Sequence, residues 1–379
     1  MTDLSVGIIG AGNISSTYLA LAPSFAGFSI RAIADLDPKA AEVRAKASGI
    51  EPVSVQSLLD DSSIDIVVNL TVPAAHHDVS HAVLQAGKHV YSEKPLAASM
   101  EEARGLAAVS RQTRMRVGCA PDTFLGGSHQ QARAMIDDGL IGTVVSGTAH
   151  VMSRGMEHWH PNPDFFFETG GGPVLDLGPY YITNLVNLLG PVERVTAVSR
   201  TAFKERTILS EPRSGQKIRV ATPTTLHAIL EFEQGAAITL GASWDVKAHR
   251  HGHMELYGTQ GSLFVPDPNT FGGTVQYADN SGNLCAPEIW DHPFSVANHQ
   301  RQGGDMQANY RGAGLADLAA AIDANRPHRC ALDLSAHVLD VMMAILQSAE
   351  MSRPVDVSTS CDRPAPLSPA AAHALLRRS

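Results

Sequence analysis

Short apolar runs alternate with segments of helical spacing over residues 1–121. The runs predict strands buried on both faces, and they are Val6–Ile9, Ser29–Ala34, Ile64–Leu70, His89–Ser92 and Met115–Gly118. The segments between them predict helices, and they include Pro38–Ser48, His76–Gly87 and Met100–Thr113. Strands alternating with helices in this way are typical of a doubly wound parallel sheet, so we predict a Rossmann domain over residues 1–121.

The pattern changes to period-two alternation between Val144 and Tyr277, where runs such as Thr225–Glu233 and Ala236–Trp244 predict half-buried strands. The pairs Gln234-Gly235 and Gln260-Gly261 suit hairpin turns. We therefore predict an α/β fold overall, in which residues 122–353 form a second α/β domain with a large, mostly antiparallel open sheet. Helices predicted near 315–349 are expected to pack back between the domains. The tail, 354–379, is rich in Pro, Ser and Ala and is expected to be loosely held.

Composition narrows the class of protein. Charged residues make up 18% of the 379, below the usual ~25%, and the net charge is −9 without a Lys/Arg cluster. Nucleic acid and anionic membranes are therefore poor partners. No run of eighteen apolar residues predicts a membrane span, and the first strand begins too early for a signal peptide. Four scattered cysteines indicate reduced thiols, so we expect a cytoplasmic protein without a disulfide framework.

A glycine turn follows the first strand. Gly10 permits a tight turn, and Gly12 lets the backbone approach a pyrophosphate at the start of the helix that Asn13 opens. Ser15 replaces the third glycine of the usual fingerprint. Asp35 ends the second strand, about where a carboxylate meets the adenosine ribose hydroxyls. This context predicts a dinucleotide site; the alternative is an ordinary βαβ unit with a chance acid.

Two further segments carry residues suited to chemistry. Lys94 follows a predicted parallel strand at the edge where open α/β sheets bind ligands, and a solvated loop lysine is an equal alternative there. After Gly170–Gly172, a strongly apolar helix carries Asp176, Tyr180 and Asn184 at spacings of four residues. Polar groups on a buried face need partners or face a cavity. The alternative is a dipole-favouring acid, a core tyrosine and an incidental asparagine.

These motifs, in this order and spacing, resemble the glucose-fructose oxidoreductase/inositol dehydrogenase/rhizopine-catabolism (Gfo/Idh/MocA) family over nearly the whole chain. The motifs that carry the resemblance are Gly10-x-Gly12-x-x-Ser15, Thr71 to His76, Glu93-Lys94-Pro95 and Asp176-x-Gly178-x-Tyr180. The resemblance implies an NAD- or NADP-binding first domain and a second domain that carries substrate and often mediates oligomerisation. It implies cofactor contacts at Gly10, Gly12, Asn13, Ile14, Asp35, Thr71, Pro73, His76, Glu93 and Lys94.

The resemblance also implies chemistry at Lys94, Asp176 and Tyr180. Inositol-dehydrogenase-like members carry His where this chain has Tyr180, so the acid or base would be a phenol. The ordinary pKa of a phenol is about 10, and a nearby cation lowers this pKa. Lys94 is the candidate for that cation. We predict hydride transfer from a sugar carbon to nicotinamide, with Tyr180 taking the hydroxyl proton, Lys94 holding the oxygen and Asp176 orienting the substrate and Lys94. Whether Lys94 or Tyr180 is the formal base is left open.

Weaker signals concern substrate and metal. His158, Trp159 and His160 precede the glycine run and could line a sugar site, or could form a hydrophobic loop clamp. Asp122 follows the last strand of the first domain and would suit sugar hydroxyls, as would Asn184 on the polar stripe. Alternating histidines at 249, 251 and 253 would share one face of a strand, but we favour no metal site.

The leading hypothesis is an NAD-dependent dehydrogenase or reductase of a small-molecule sugar, polyol or glycoside, with NADP as a possible cofactor. Asp35 favours NAD because its charge repels a 2′-phosphate, whereas Lys39 leaves room for NADP. The alternatives are a redox-neutral NAD-dependent glycosidase and a non-catalytic sugar or dinucleotide sensor. A homodimer or homotetramer formed through the C-terminal sheet is the expected assembly.

Overall fold

The structure, a computed structural model, describes residues 3–300 and 304–377, which form two compact units. The first unit contains the chain up to Gly127, then Asp291–Leu339 and the segment from Pro364. The second unit contains Ser128–Trp290 and Asp340–Arg363. The chain therefore leaves the first unit and returns to it twice.

The first unit is built on a six-stranded parallel sheet of order β3-β2-β1-β4-β5-β6. Its strands are β1 (Leu4–Ile9), β2 (Phe28–Ala34), β3 (Glu51–Pro52), β4 (Ile66–Asn69), β5 (His89–Ser92) and β6 (Val117–Cys119). The β4 strand is buried along its whole length, as continuous apolar runs predict for a parallel sheet covered on both faces. The predicted Rossmann architecture is confirmed.

Capping residues mark the ends of some of the helices. The helices are α1 (Asn13–Leu21), α2 (Pro38–Ser48), α3 (Val55–Asp60), α4 (His76–Gln85), α5 (Met100–Thr113), α6 (Gly127–Asp137), α7 (Asp164–Phe167), α8 (Pro173–Leu189), α9 (Ala313–Asp323), α10 (Leu332–Met351) and α11 (Pro369–His373). For example, the Asp37 side chain caps α2 by accepting the Lys39 N–H, and Gly49 ends the helix with a φ of +67°.

The second unit contains a nine-stranded sheet of order β16-β15-β14-β13-β7-β12-β11-β8-β19. Its strands are β7 (Val144–Met152), β8 (Val192–Arg200), β11 (Thr225–Phe232), β12 (Ala237–Ser243), β13 (Met254–Gly258), β14 (Gly261–Val265), β15 (Gln276–Ala278), β16 (Leu284–Cys285) and β19 (Val355–Asp356). Only the β7–β12 pair of this sheet is parallel. The predicted mostly antiparallel open sheet is confirmed.

Two short hairpins stand apart from the large sheets. They are β9 (Glu205–Thr207) with β10 (Lys217–Arg219), and β17 (His299–Gln300) with β18 (Met306–Gln307). The buried helix α8 packs on β7, β11 and β12, which covers one face of the large sheet. On the other face, Val198 and Ile229 are exposed, as period-two alternation requires.

The C-terminal segment differs from the prediction of a loosely held tail. Leu367, Ala372 and Leu375 are buried, and Leu376 forms a β-bridge with Phe25. The Arg377 guanidinium donates to the carbonyls of Phe25 and Phe28. Pro- and Ala-rich composition therefore did not indicate looseness here, because the segment packs its few apolar side chains into the first unit.

One described helix, α10, is long and apolar enough to cross a membrane by length and composition alone, and just over half of it is buried. A buried core helix passes the same test, so the finding carries little weight for a membrane location. Within α10, Asp340 accepts hydrogen bonds from the Ser358 and Thr359 N–H groups, and Ser348 donates to the Arg353 carbonyl.

Candidate active site

The glycine turn between β1 and α1 is as tight as the sequence predicts. Gly10 has a φ of +110°, and a Cβ there would lie 2.5 Å from the Leu70 carbonyl oxygen, so only glycine fits. Gly12 differs, because a Cβ there would meet no atom within 4 Å. The space beside the Gly12 backbone is therefore open.

The N-terminus of α1 has no side-chain cap, since Gly12 occupies the capping position. Asn13 is exposed and Ile14 is half-buried at this end. Backbone N–H groups at an uncapped helix start, together with the helix dipole, favour an anion. The turn thus fits the pyrophosphate of a dinucleotide on structural grounds, with Gly10, Gly12, Asn13 and Ile14 as the residues that would hold it.

Asp35 lies beside this turn, at the end of β2. One carboxylate oxygen accepts the Ala11 N–H at 2.6 Å, and the other accepts the Asp37 N–H at 2.9 Å. Asp35 therefore fixes the glycine turn through its side chain. Arg44 on α2 donates to the carbonyls of Ala11 and Gly12 at 3.3 Å each. The sequence pattern did not identify this residue.

The Thr71–His76 segment is held by Asn69, a second residue that the sequence reading missed. The fully buried Asn69 amide donates to the His76 carbonyl and the Ser80 hydroxyl, and its oxygen accepts from the Thr71 hydroxyl. His76 is also buried, with one ring nitrogen 2.7 Å from the Pro95 carbonyl and the other 3.1 Å from the Thr71 carbonyl. His76 therefore links two motifs to each other.

Exposed apolar side chains flank the same edge of the first unit. Leu36 is 95% exposed and Val72 is 66% exposed, and they follow Asp35 and Thr71 directly. Pro73 is exposed beside Val72. Apolar side chains left in water at the carboxyl ends of parallel strands suit the faces of a planar adenine ring.

Glu93, Lys94 and Pro95 follow β5 at this edge. The Glu93 N–H donates to the Asn69 carbonyl at 2.9 Å, and one Glu93 carboxylate oxygen accepts the Lys94 N–H at 3.1 Å. The other oxygen accepts the Tyr18 hydroxyl at 2.9 Å. The backbone of this turn is thus fixed by side chains, and the half-buried Lys94 belongs to an ordered segment.

Asp122 has a structural contact where a sugar contact was expected. Its buried carboxylate accepts the N–H groups of Gly312 and Gly314 at 2.8 and 3.1 Å, at the start of α9. Burial raises the pKa of Asp122 to about 6, against the lowering effect of these bonds. Because both contacts use the same buried oxygen to hold a helix N-terminus, we assign Asp122 to the fold of the first unit.

In the second unit, α8 presents the predicted polar residues. The Gly170–Gly172 run lies close to other backbone, since a Cβ at Gly171 would be 2.4 Å from the Phe166 carbonyl oxygen. Asp176 is half-buried in the first turn of α8, and Tyr180 lies one turn later at 9% exposure. Each of these two residues makes at least one further interaction in the structure, so neither is without a partner.

Asn184 continues this stripe into the core. Its amide is fully buried and lies 3.1 Å from His129 Nδ1, while Asn187 donates to its oxygen. Burial lowers the pKa of His129 to about 4, so this ring is neutral at physiological pH. The structure places Asn184 in a satisfied core network and not beside Asp176 at the surface.

The segment before the glycine run forms an aromatic cluster. Trp159 is 57% exposed and Phe165 is 51% exposed, and both pack edge-on to the His160 ring at 5.3–5.5 Å between centroids. His158 is half-buried. The cluster therefore leaves two aromatic faces in water in the same unit as Asp176, an arrangement suited to stacking on a sugar ring.

A buried ion network anchors this segment. Arg206 on β9 is 6% exposed and donates to Glu157 at 2.7 Å and to Asp245, while its guanidinium lies 5.1 Å from the Phe167 ring centroid. Beneath it, a cluster including Met156, Phe167 and Trp244 packs against Leu177 of α8. The cavity of about 510 Å³ over Arg206 is lined by charges of both signs.

The three histidines near 250 do not act as a set. His251 stacks on His150 at 4.0 Å between centroids and lies 6.0 Å from His249, whereas His253 Nδ1 is 2.9 Å from the Tyr181 hydroxyl. Over residues 3–300 and 304–377, no group of three His, Cys, Asp or Glu side chains could hold a metal ion.

The chain is similar to several sugar-metabolising enzymes. It is 24% identical over 326 residues to a D-xylose dehydrogenase of Paenarthrobacter nicotinovorans, with 80% of each chain covered. It is 26% identical over 296 residues to a levoglucosan dehydrogenase of Pseudarthrobacter phenanthrenivorans, covering 69% of this chain and 73% of the relative.

Solved structures share the fold. An NAD-binding oxidoreductase from Klebsiella pneumoniae superposes with a TM-score of 0.80 at 22% identity, covering 94% of this chain and all of that one. A levoglucosan dehydrogenase in complex with NADH and levoglucosan gives a TM-score of 0.79 at 22% identity, with the same coverage.

Family models match both units. Residues 4–120 match the oxidoreductase family NAD-binding Rossmann fold, and residues 129–264 match the GFO/IDH/MocA C-terminal domain. The matches cover the glycine turn and Lys94 in the first unit, and Asp176 and Tyr180 in the second. The chain therefore belongs to the GFO/IDH/MocA family of NAD-binding oxidoreductases.

Proposed function

We propose that this protein is an NAD-dependent dehydrogenase or reductase that acts on a hydroxyl-bearing carbon of a sugar, polyol or glycoside. The observation that carries the proposal is the open, uncapped glycine turn in a chain that also keeps Lys94, Asp176 and Tyr180. A turn of this kind suits a bound dinucleotide, and the three side chains supply the proton chemistry that hydride transfer needs.

The roles follow from the chemistry of each group. When bound, the nicotinamide ring supplies hydride acceptance or donation at its C4 atom. Lys94 holds the substrate oxygen through its ammonium group, and Tyr180 takes or returns the hydroxyl proton. Asp176 accepts hydrogen bonds that orient the substrate. Lys94 remains the alternative base, and the pH profiles of the two single variants distinguish them.

The substrate class rests on three supports. The relatives named above act, by their names, on xylose and levoglucosan, and another is an inositol 2-dehydrogenase of Saccharopolyspora erythraea, 27% identical over 296 residues. The exposed Trp159 and Phe165 rings suit stacking on a pyranose face. His160 beside them accepts the Asn162 N–H at Nδ1, which leaves its Nε2 for a sugar hydroxyl, and the half-buried His158 is the other proposed contact.

NAD is the proposed cofactor in preference to NADP. The Asp35 carboxylate at the end of β2 suits ribose hydroxyls and repels a 2′-phosphate. Arg44 beside the turn offers a cation to the pyrophosphate or to a 2′-phosphate. We therefore propose that the protein prefers NAD but also accepts NADP. The remaining contacts proposed for the dinucleotide are Thr71, Pro73, His76 and Glu93.

The test is the change in absorbance at 340 nm when purified protein meets a panel of sugars, polyols and glycosides, with NAD and NADP in parallel. Accumulation of NADH with at least one sugar or polyol supports the proposal. Glycoside cleavage that needs NAD but accumulates no NADH identifies the redox-neutral glycosidase. Binding of dinucleotide and sugar without turnover of either identifies a sensor.

Matched variants locate the chemistry. Tyr180→Phe is expected to lower kcat by about a hundredfold or more, because general acid–base groups contribute about that much. Tyr181→Phe is the control, because its hydroxyl bonds to His253 within the second unit. Lys94→Ala is expected to act like Tyr180→Phe, with exposed Lys46→Ala as its control. Full activity in Lys94→Ala would refute the mechanism.

We further propose a homodimer or homotetramer formed through the open face of the nine-stranded sheet. Val198 and Ile229 are exposed on this face, and apolar side chains there favour burial against a second copy. The proposed compartment is the cytoplasm, because all four cysteines are free thiols. Light scattering of the purified protein measures the assembly, and a charged residue in place of Ile229 should shift it towards monomer.

A further inference from the structure

Tyr18 joins the helix of the glycine turn to the Glu93-Lys94-Pro95 segment. It lies on α1, six residues after Gly12, and is 2% exposed. Its hydroxyl donates to a Glu93 carboxylate oxygen at 2.9 Å. The contact spans 75 residues of sequence and lies wholly within the first unit.

Glu93 connects the Tyr18 hydroxyl to the backbone of Lys94. Its second carboxylate oxygen accepts the Lys94 backbone N–H at 3.1 Å, and its own N–H is fixed by the Asn69 carbonyl at 2.9 Å. The carboxylate is therefore held between a phenol on one side and the peptide of Lys94 on the other. If the phenol contact is lost, the carboxylate can rotate, and the Lys94 peptide loses a fixed acceptor.

The phenol acts as a donor and not as an acid that ionises. Burial raises the pKa of Tyr18 well above its ordinary value, and the charges of Glu93 and Asp122 raise it further. A neutral phenol next to a carboxylate makes a charge-assisted hydrogen bond, which is stronger than a bond between two neutral groups. The contact is therefore able to hold a partly buried carboxylate in one rotamer.

We propose that Tyr18 is a positioning residue: its hydroxyl holds Glu93, and through Glu93 the backbone of Lys94, in the conformation that the hydride-transfer reaction requires. The inference rests on the proposed function, because it assigns Tyr18 a purpose in placing the proposed catalytic lysine. Tyr18 does not touch substrate in this scheme. It makes the conformation of the Lys94 turn depend on the helix that begins at the dinucleotide site.

A double-mutant cycle tests the proposal. Tyr18→Phe removes the hydroxyl and keeps the ring, and it is expected to lower kcat about tenfold with the KM for sugar within about twofold, because misplaced catalytic groups reduce turnover. In a Glu93→Ala background, where no side-chain oxygen accepts from the phenol, the same change is expected to cost nothing further, because Tyr18 acts through Glu93. An equal loss in both backgrounds overturns the proposal. Tyr310→Phe is the control, since its hydroxyl donates to the Val296 carbonyl elsewhere in this unit.

A second readout does not depend on turnover. Trinitrobenzenesulfonate modifies lysine amines, and peptide mass spectrometry gives the rate at Lys94 in the cofactor-free protein. We expect this rate to change at least about threefold in Tyr18→Phe and to stay unchanged in Tyr310→Phe. The exposed Lys46 is the internal standard within each sample. An unchanged Lys94 rate overturns the proposal.

The kinetic and labelling measurements distinguish failure of the proposed function from failure of the inference about Tyr18. If the wild-type protein reduces NAD with no sugar or polyol, the proposed function fails, and the labelling rate still decides whether Tyr18 positions Lys94. If Tyr18→Phe does not fold, Glu93→Asp takes its place, because the shorter side chain withdraws the carboxylate from the phenol. It is expected to change Lys94 labelling in the same way, and no change there overturns the inference.

Discussion

Arg206→Met is expected to destabilise the second unit strongly. The substitution keeps an unbranched side chain beside the Phe167 ring but removes the guanidinium that lies between Glu157 and Asp245. Both acids are 12% exposed at the side chain, and Arg206 is 6% exposed. The change leaves two buried carboxylates without their shared cation.

The magnitude follows from the cost of an uncompensated buried charge. Breaking a buried ion pair by removing one partner costs about 3–5 kcal/mol. Two hydroxyls, from Thr224 and Thr225, still donate to Asp245 at 2.7 Å each, so Asp245 keeps part of its stabilisation. Glu157 keeps no such support, because its second oxygen has no partner among the described residues. We therefore expect a loss of about 3 kcal/mol or more.

Tryptophan fluorescence during urea unfolding measures this loss for the second unit alone. All three tryptophans of the chain, Trp159, Trp244 and Trp290, belong to that unit. With an m-value of about 2–3 kcal/mol per molar, the midpoint should fall by about 1–1.5 M. The signal is direct, because the carbonyl of Trp244 itself accepts from Arg206.

Two further variants decide whether buried charge is the cause. Arg213→Met removes a pair with Asp164 in which both side chains are 28–36% exposed, and it should cost at most about 1 kcal/mol. The triple variant Arg206→Met, Glu157→Gln, Asp245→Asn should recover most of the loss, because no unpaired charge remains. Equal midpoints for Arg206→Met and Arg213→Met would refute the reasoning.

Three other outcomes are expected. Gly10→Ala should lower both the melting temperature and the affinity for NADH, because its Cβ would meet the Leu70 carbonyl oxygen at 2.5 Å. Gly12→Ala should keep the melting temperature and lower only the affinity for NADH, measured by fluorescence titration. Asp122 has a pKa raised to about 6, so the folded state binds its proton more tightly than the unfolded chain does. The stability of the wild-type protein relative to Asp122→Asn should therefore rise by up to about 3 kcal/mol as pH falls from about 6 to about 4. A difference between these two proteins that does not vary with pH in thermal melts would contradict this. Asp35→Asn removes the charge and keeps only one of the two oxygens that accept the Ala11 and Asp37 N–H groups. It should narrow the ratio of NADH affinity to NADPH affinity by about tenfold, equivalent to about 1.4 kcal/mol, in the same titration.

Elements fixed by neighbouring residues were predictable from sequence. The helix predicted at Pro38–Ser48 has those bounds in the structure, because Asp37 caps it and Gly49 ends it. The strand predicted at Thr225–Glu233 is one residue longer than β11 at its C-terminal end, and the strand predicted at Ala236–Trp244 is one residue longer than β12 at each end. Each of these signals lies within a few residues of the element it sets.

Contacts between distant parts of the chain were not predictable. Asp122 was expected at a sugar because it follows a strand, yet its partners are the amides of Gly312 and Gly314, 190 and 192 residues later. Asn184 was expected at the substrate because it continues the polar stripe of Tyr180, yet its partner is His129. Spacing along a helix shows which residues share a face, but it does not show which buried polar group lies opposite them.

Similarly, sequence indicated Lys94 but not the groups that fix its backbone. The sequence pattern predicts an apolar helix position at Tyr18 and the end of a buried strand at Asn69. Both matter because their polar atoms are buried and bonded to the motifs, which only the folded chain reveals. Polar atoms on largely apolar elements are therefore worth attention when a site is assigned.

The return of the chain to the first unit has a consequence for biosynthesis. Leu376 pairs with Phe25, and Arg377 donates to the carbonyls of Phe25 and Phe28, so β2 and the loop before it meet partners made some 350 residues later. During translation, a ribosome has already produced the whole second unit before these partners emerge. The nascent dinucleotide-binding segment therefore stays incompletely covered until Leu376 and Arg377 emerge, and a premature stop near residue 360 would leave it exposed to proteases and chaperones.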